Sequence, residues 1–187
     1  MGTMTRKPIQ MENALLGLLR RGPQHGYSLH QQISTASGLG LIWRVKQSQL
    51  YALLEKLEAS GYITSVMQSQ EPYPPRRVYT LTDLGKEIYE AWVTSPVRRP
   101  QQMHQIFMAK LYFARLEGNQ QVNALIDAQA RMCDEWLGLL AQEAGDSGKA
   151  GEYDQLVKEY RRAQAQMIQS FLAEISSKSK LKKSARS

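Results

Sequence analysis

Cysteine is almost absent from this chain of 187 residues. Cys133 is the single cysteine, so there is no intramolecular disulfide and no thiolate cluster that could bind a metal. Its apolar neighbours at helical spacing predict a buried structural thiol rather than a nucleophile. Long apolar runs are also missing, and the first ten residues lack the apolar segment of a signal peptide. We therefore expect a cytoplasmic protein that does not enter a membrane.

Patterns typical of enzyme active sites are missing as well. The three histidines do not have the spacing of a metal-binding HExxH motif. No GxSxG motif occurs, and the GLG at 38–40 lacks the further glycines of a nucleotide-binding loop. We predict that the chain is not an enzyme and that it needs no metal and no cofactor.

The chain has an excess of positive charge, and most of it lies at the carboxyl end. Residues 1–95 hold 10 Lys/Arg against 7 Asp/Glu, residues 96–177 hold 9 against 10, and residues 178–187 hold 5 against none. The last segment has almost no apolar content, which predicts a disordered basic tail. The net charge alone is therefore a weak argument for a nucleic-acid partner.

The first half has the periodicity of three helices followed by a β-hairpin. Breaks rich in glycine and proline, RRGPQHG and SGLGL, separate the helices. Thr82 is suited to cap a fourth helix after the hairpin. The expected ranges are 8–20, 27–36 and 47–60 for the helices and 62–68 and 76–82 for the strands. This order is that of a winged helix-turn-helix, in which the third helix enters the DNA major groove and the hairpin flanks it.

The third helix has a leucine face and a polar face. The amino-terminal end of this helix would enter a DNA groove most deeply. There, the residues opposite the leucines are small or can form hydrogen bonds. Gln and Ser can bond base edges and an Ala methyl can pack on thymine, whereas Lys and Tyr suit phosphates. Glu55 would repel DNA, so we expect the reading face to end before it. The predicted DNA-contacting residues here are Lys46, Gln47, Ser48, Gln49, Tyr51, Ala52 and Lys56.

The predicted hairpin adds Arg76 and Arg77, directly after the two prolines of its tip. Taken alone, both could be solubilising charges on an exposed ribbon. Beside a polar third helix they favour DNA contact. Adjacent strand residues face opposite sides, so we expect one of the two to reach DNA with the better geometry. The sequence does not say which one.

The second half is helical, and its apolar stripes are wider than one partner helix covers. An intramolecular helical hairpin would bury part of each stripe, and a second subunit would bury the rest. We therefore predict a DNA-binding domain over 8–95 and a helical dimerisation domain over 96–177, in a homodimer. The stripes contain Val122, Leu125, Ile126, Met132, Cys133, Trp136, Leu137, Leu140, Tyr153, Leu156, Tyr160, Met167, Phe171 and Ile175.

The assembled segments resemble the PadR family of bacterial transcriptional regulators. The resemblance is carried by LLGLLRRGPQHGYSLHQQI, Trp43, QLYALLEKLEASGYI and PPRRVYTLTDLGKEIYEAW, which cover most of residues 10–95. FMAKLYFARL at 107–116 is similar to the helical region of the longer, homodimeric members. Ala52 departs from the proline that the family often has there, which concerns base preference more than fold.

The resemblance implies a homodimeric regulator, usually a repressor, that binds a pseudo-palindromic operator and in some members is released by a small aromatic or other planar effector. By motif, Tyr27, the segment 47–51, Arg76 and Arg77 carry over as DNA-reading positions. An effector cavity does not carry over residue by residue. Side chains that could line one are Trp43, His104, Phe107, Met108 and Trp136, each of which core or dimer packing explains more simply.

A different use of the same fold stays open. A winged helix can serve protein–protein contact without binding specific DNA. Acidic residues on the exposed face of the third helix would favour that alternative. Here the helix opens with Lys46, Gln47, Ser48 and Gln49, which favours DNA.

Overall fold

The computed structural model describes residues 10–35, 38–70, 73–145 and 151–184. The chain divides into two compact units. The first holds the residues up to Val93 together with Met108–Phe113, and the second holds Thr94–Phe107 and the chain from Ala114 onward. The sequence suggests one boundary near residue 95. Helical periodicity shows that residues 108–113 have a buried face, but not which core covers it.

The first unit is mainly α-helical with a small antiparallel sheet, so the predicted fold class is confirmed. Its elements are α1 (Gln10–Leu19), β1 (Gln24–His25), α2 (Gly26–Ser34), a 3-10 turn (Gly38–Leu41), α3 (Gln47–Ala59), β2 (Ile63–Gln70), β3 (Tyr73–Leu81) and α4 (Asp83–Val93). In the sheet, β3 lies between β1 and β2. Ile63 pairs with Leu81 and Val66 with Val78 along the wing formed by β2 and β3.

The strand β1 was not predicted. Gln24 pairs with Tyr79 and His25 with Val78, which joins the turn after α1 to the wing. The glycines and proline around these two residues are typical of a helix break, and nothing local shows that the break pairs with a distant strand. The wing strands also extend further toward the proline-rich tip than predicted. Pro74 and Pro75 are tolerated in β3 because β1 pairs only with Val78 and Tyr79, so one side of β3 is open at the prolines.

The helices of the first unit pack their leucines around one core, as the periodicity predicts. On α3 the residues Leu50, Leu53, Leu54 and Leu57 are all buried. Burial of each such side chain contributes roughly 1.5–3 kcal/mol. Gly61 follows the helix with φ +75°, a left-handed conformation that glycine adopts without strain and that commonly ends helices.

Thr82 caps α4, as predicted, because its Oγ1 accepts a hydrogen bond from the Gly85 N–H at 3.1 Å. The spacing of Leu84, Ile88 and Trp92 predicts that these three residues form the buried face of α4, and this prediction needs a correction. Leu84 is 43% exposed, whereas Tyr89 and Trp92 are buried. The ring of Tyr89 packs edge-on against Phe113 at 6.0 Å between centroids, and this long-range aromatic contact sets the rotation of the helix.

The second unit begins with a linker that is held by side-chain hydrogen bonds. Val97 donates its N–H to Gln129 Oε1 at 2.8 Å and accepts from Gln129 Nε2 at 3.2 Å, so the buried amide replaces a backbone partner on both sides. Trp136 Nε1 donates to the Arg98 carbonyl at 3.1 Å. A 3-10 turn (Pro100–Gln102) and a π-helical turn (Met103–Phe107) follow. Of the next helix, α5 (Met108–Glu117), the residues up to Phe113 belong to the first unit and those from Ala114 onward to the second.

The long helices α6 (Asn119–Gly145) and α7 (Glu152–Ser184) form an antiparallel pair. Arg161 forms an ion pair with Glu143 at 2.8 Å, and Gln169 bonds Asp134 at 2.9 Å. Cys133 is fully buried, as predicted, and burial raises the pKa of its thiol to about 11.

The predicted tail over 178–187 needs a correction, because α7 continues through Ser184. Helix periodicity in the sequence fades near residue 177, yet the lysines and serines that follow are compatible with a helix. Residues 185–187 lie outside the described part of the chain. No helix among the described residues is both long and apolar enough to cross a membrane.

The face of α7 that contacts α6 is not the stripe that the sequence predicts. Ala165, Ile168 and Leu172 are buried against α6. Tyr153 is 76% exposed and Tyr160 is 67% exposed. Large apolar side chains thus lie exposed along one side of α7, at helical spacing, in Tyr153, Leu156, Val157, Tyr160 and Met167. We call this set the α7 stripe.

Candidate nucleic-acid interface

The polar face of α3 is open to solvent. The helix starts at Gln47, and Lys46 before it has extended backbone and no side-chain capping bond. The first-turn amides therefore have no side-chain acceptor from Lys46, and the positive end of the helix dipole faces outward. Tyr51 is half-buried. The other predicted contact residues of this region are exposed, namely Lys46, Gln47, Ser48, Gln49, Ala52 and Lys56.

The turn before α3 is fixed by a histidine on α2. His30 Nε2 lies 3.0 Å from the Val45 carbonyl and 3.2 Å from Ser34 Oγ. A carbonyl oxygen can only accept, so Nε2 carries the hydrogen in this contact. This bond ties the helix-turn-helix together directly in front of Lys46. It was not identified from the sequence, because the spacing of His30 and Val45 follows no helical or strand period.

Tyr51 fills the space where α2 meets α3. A Cβ on residue 26 would lie 2.6 Å from the Tyr51 ring, so only glycine leaves this ring in place. The next residue, Tyr27, is 61% exposed. The two tyrosines therefore stand side by side at the amino-terminal end of α2, one packed and one open.

One cleft brings together residues from α2, α3 and the wing. Its volume is about 550 Å³. Tyr27, Tyr51, Arg76 and Arg77, which the sequence predicts separately as DNA contacts, all line it. The complete lining is His25, Gly26, Tyr27, Tyr51, Met67, Pro75, Arg76 and Arg77. Aromatic rings with phenolic hydroxyls and two guanidinium groups can together hold a phosphodiester.

The two wing arginines differ in their surroundings. Arg77 Nη1 lies 3.5 Å from Glu58 Oε2 at the end of α3. Ser65 Oγ donates to the other oxygen of Glu58 at 2.5 Å. The pKa of Tyr79 is raised because burial disfavours the phenolate, an effect that the nearby guanidinium of Arg77 partly offsets. Arg76 is exposed.

Glu58 was not identified from the sequence. It lies on the flank of α3, one residue after the last core leucine, where a carboxylate is typical of a solvated surface. What distinguishes Glu58 is its ion pair with Arg77, which forms only when the wing lies beside α3. A charge pair so far apart in sequence has no local signature.

The five effector candidates are divided between the two units. Trp43, which is buried, and Met108 belong to the first unit. Phe107 is fully buried in the second unit, which also holds the exposed His104 and the half-buried Trp136. Within each unit, Trp43 and Phe107 contribute to the core. Among the described residues no group of His, Cys, Asp or Glu side chains could hold a metal ion.

Comparison with known proteins places residues 15–91 in a family model described as the transcriptional regulator PadR-like family. The negative transcriptional regulator PadR of Bacillus subtilis (strain 168) is 31% identical over 147 residues, which are 79% of this chain and 75% of that protein.

Solved structures of Bacillus subtilis PadR are also similar. The structure in complex with operator DNA is 28% identical, covers 88% of this chain and 97% of its own, and has a TM-score of 0.46. The structure in complex with p-coumaric acid is 26% identical, with coverage of 92% and 99% and a TM-score of 0.41.

Proposed function

Because this chain belongs to the PadR-like family of transcriptional regulators, we propose that it is a homodimeric repressor. In this proposal it binds a pseudo-palindromic operator through α3 and the wing. A small aromatic molecule relieves the binding. The Bacillus subtilis relative, a negative transcriptional regulator, supports repression as the direction of control.

The observation that carries DNA binding is the convergence of three elements on one cleft beside an open, polar helix face. Gln49 and Ser48 supply hydrogen bonds for base edges, and Ala52 supplies a methyl group for thymine. Tyr27 and Tyr51 stand at the cleft, where the backbone of a strand entering beside α3 would pass. Phosphate contacts there fix the register, and the α3 side chains read the sequence.

The observation that carries homodimerisation is the α7 stripe. Exposed apolar side chains at positions i, i+3, i+4 and i+7 are typical of a helix that packs against another helix. The stripe lies to one side of the residues that face α6, so a partner helix could cover it without displacing α6. An interface between two copies related by a two-fold axis uses the same surface of both copies, so one stripe can pack against the other. The two-fold symmetry of such a dimer matches that of a palindromic operator.

The experiment that tests this function is a selection of genomic fragments by the purified protein, followed by binding measurements on the recovered site and on random duplex. We expect one recurring pseudo-palindromic site, bound far more tightly than random DNA. Recovery of no preferred site would contradict the proposal and favour a winged helix used only for protein contact.

Relief by an effector has its own measurement. The solved Bacillus subtilis complex makes p-coumaric acid a rational first probe, with benzoic acid and an aliphatic acid as controls. We expect an aromatic acid to weaken binding to the recovered site. The five candidates Trp43, His104, Phe107, Met108 and Trp136 can then be substituted one at a time. A response that none of these substitutions changes would place the effector elsewhere.

A further inference from the structure

We infer that His30 is a positioning residue for sequence reading: through the carbonyl of Val45 it sets where α3 begins and which way its first turn faces. The inference rests on the proposed DNA binding and names a residue that controls its specificity through other residues. His30 belongs to α2, so its bond joins the first helix of the helix-turn-helix to the start of the second.

The segment that leads into α3 has little other support. Trp43 still belongs to the bonded part of the turn, because its N–H donates to the Leu39 carbonyl at 2.9 Å. Residues 44–46 have no regular secondary structure, and Lys46 has extended backbone. In the part of the chain that the structure describes, the bond from His30 is the one hydrogen bond that joins residues 44–46 to any element other than α3.

The bond acts on the peptide unit directly before the helix. A peptide unit is planar, so a hydrogen bond to the Val45 carbonyl also fixes the direction of the Lys46 N–H. The carbonyl of Lys46 in turn accepts the first bond of α3, from the Leu50 N–H at 3.1 Å. Rotation of this peptide unit would therefore change the path by which the chain enters α3, and Ser48 and Gln49 would move with it.

The core does not hold this end of α3 by itself. Its buried leucines begin at Leu50, and the four residues before Leu50 are all exposed. Val45, ahead of those four residues, is 7% exposed. Apolar burial is non-directional, whereas a hydrogen bond has a preferred angle, so the bond from His30 adds an orientation to the burial of Val45. The proposed base readers Ser48 and Gln49 thus lie between two fixed points.

The surroundings of the imidazole fix its own orientation. The Val45 carbonyl lies 3.0 Å from Nε2 and can only accept. The hydroxyl oxygen of Ser34 lies 3.2 Å from the same nitrogen and can accept as well. Ser34 is one turn after His30 on α2, so the ring is bonded both to its own helix and to the turn before α3. Nε2 of His30 is therefore a donor with two acceptors.

The test compares two substitutions of similar size. In His30→Gln the amide Nε2 is a donor about as far along the side chain as the imidazole Nε2, whereas His30→Leu has no donor. Affinity for the recovered operator and for random duplex is measured for both variants across salt concentrations. Gln31→Leu, at the exposed neighbouring position on α2, is the control.

For His30→Leu we expect the ratio of operator affinity to random-duplex affinity to fall about tenfold, the size of one displaced base contact. Binding to random duplex should change less than about twofold, with the same dependence of log K on log salt, because no phosphate contact is removed. His30→Gln should keep the ratio within about threefold of the wild-type value, because it retains the hydrogen bond. Gln31→Leu should match the wild type.

Two measurements without DNA test the contact itself. Nitrogen NMR of the wild type should show the His30 tautomer that carries its hydrogen on Nε2. Hydrogen exchange at the Leu50 amide, the donor of the first bond in α3, should be faster in His30→Leu than in the wild type or in His30→Gln. Unchanged exchange in α4 would show that the variants keep their fold.

Three results would overturn the inference. One is a His30→Leu variant that keeps the wild-type affinity ratio, or that weakens binding to both DNAs equally. Another is a His30→Gln variant that loses as much of the ratio as His30→Leu. The third is a hydrogen on Nδ1 in the wild type, which needs no variant to fold. Each can occur while the wild type still selects its operator, so the inference can fail although the proposed function holds.

Discussion

The two units differ in what they leave exposed. In the first unit the leucines of α3 are covered, and the helix shows solvent a polar face. Its exposed Tyr27 and Met67 line the cleft. In the second unit, α7 buries Ile168 and leaves the α7 stripe uncovered. The first unit thus has a closed core and an open polar surface, whereas the second has an apolar surface that its own residues do not cover.

The difference separates two kinds of helix that look alike in sequence. Both α3 and α7 carry apolar residues at three-four spacing. On α3 the apolar residues are one set, and they face the core. On α7 there are two sets, one against α6 and one open, and an open set of this size marks a binding surface. Width of the apolar face, and not its presence, distinguishes a helix with one partner from a helix with two.

The largest expected effect concerns the open stripe. Leu156→Glu combined with Tyr160→Glu places two carboxylates in the proposed dimer contact, where they would be buried without partners. We expect monomers by sedimentation velocity. Operator affinity should fall about a hundredfold or more, because the second half-site no longer binds as part of the same molecule.

A matched control adds the same two charges on the solvent side of α7, in Gln155→Glu with Gln166→Glu, both of which are exposed positions. This variant should stay dimeric. If the stripe variant also stays dimeric, the α7 stripe is not the dimer contact, and the contrast drawn between the two units is wrong.

The next effect, on folding stability, tests the closed core of the first unit. Leu54 is fully buried and Leu139 is 58% exposed. In the background of the monomeric stripe variant, Leu54→Ala should lower the free energy of unfolding by about 2–5 kcal/mol, since it removes buried methyl groups and leaves a cavity. Leu139→Ala should cost less than about 0.5 kcal/mol. Urea unfolding of both variants measures the difference, and equal losses would contradict the assignment of the core.

Local patterns account for what the sequence predicts correctly. The order of helices and wing strands, the buried face of α3 and the cap at Thr82 each depend on residues within a few positions of one another. The features that were missed depend on distant partners: β1 pairs with β3, Tyr89 with Phe113, and Glu58 with Arg77. The candidate site was therefore predicted as a set of residues, while the ion pair between its wing and α3 was not.

Lys110 is a charged side chain buried in the first unit, and its effect on the free energy of unfolding depends on pH. It is buried, donates to the Trp92 carbonyl at 2.8 Å and lies 5.2 Å from the Trp92 ring centroid. Burial lowers the pKa of its amine from 10.5 to about 8. Between those two values the unfolded chain binds the proton and the folded chain does not, so stability rises with pH there.

Lys110→Met removes this dependence. We expect the free energy of unfolding of the wild type, relative to this variant, to increase by about 2–3 kcal/mol between pH 8 and 10.5. Below pH 8 the difference should be constant, because both states then hold the proton. Lys86→Met, at an exposed lysine of the same unit, is the control and should show little pH dependence. A flat difference for Lys110→Met would mean that the amine is solvated in the folded protein.

The smallest expected effect distinguishes a reading surface from a merely polar one. Gln49→Ala removes a side chain that can bond an adenine edge with two hydrogen bonds, and such a pair contributes about 1–3 kcal/mol of discrimination. Binding to the operator should weaken by an amount in that range, and binding to random duplex should change far less. Gln120→Ala, an exposed glutamine on α6, is the control and should leave both affinities unchanged. Equal loss on both DNAs would assign Gln49 to the backbone. The polar face of α3 would then anchor the protein, and sequence would have to be read by the other α3 side chains or through the shape of the DNA.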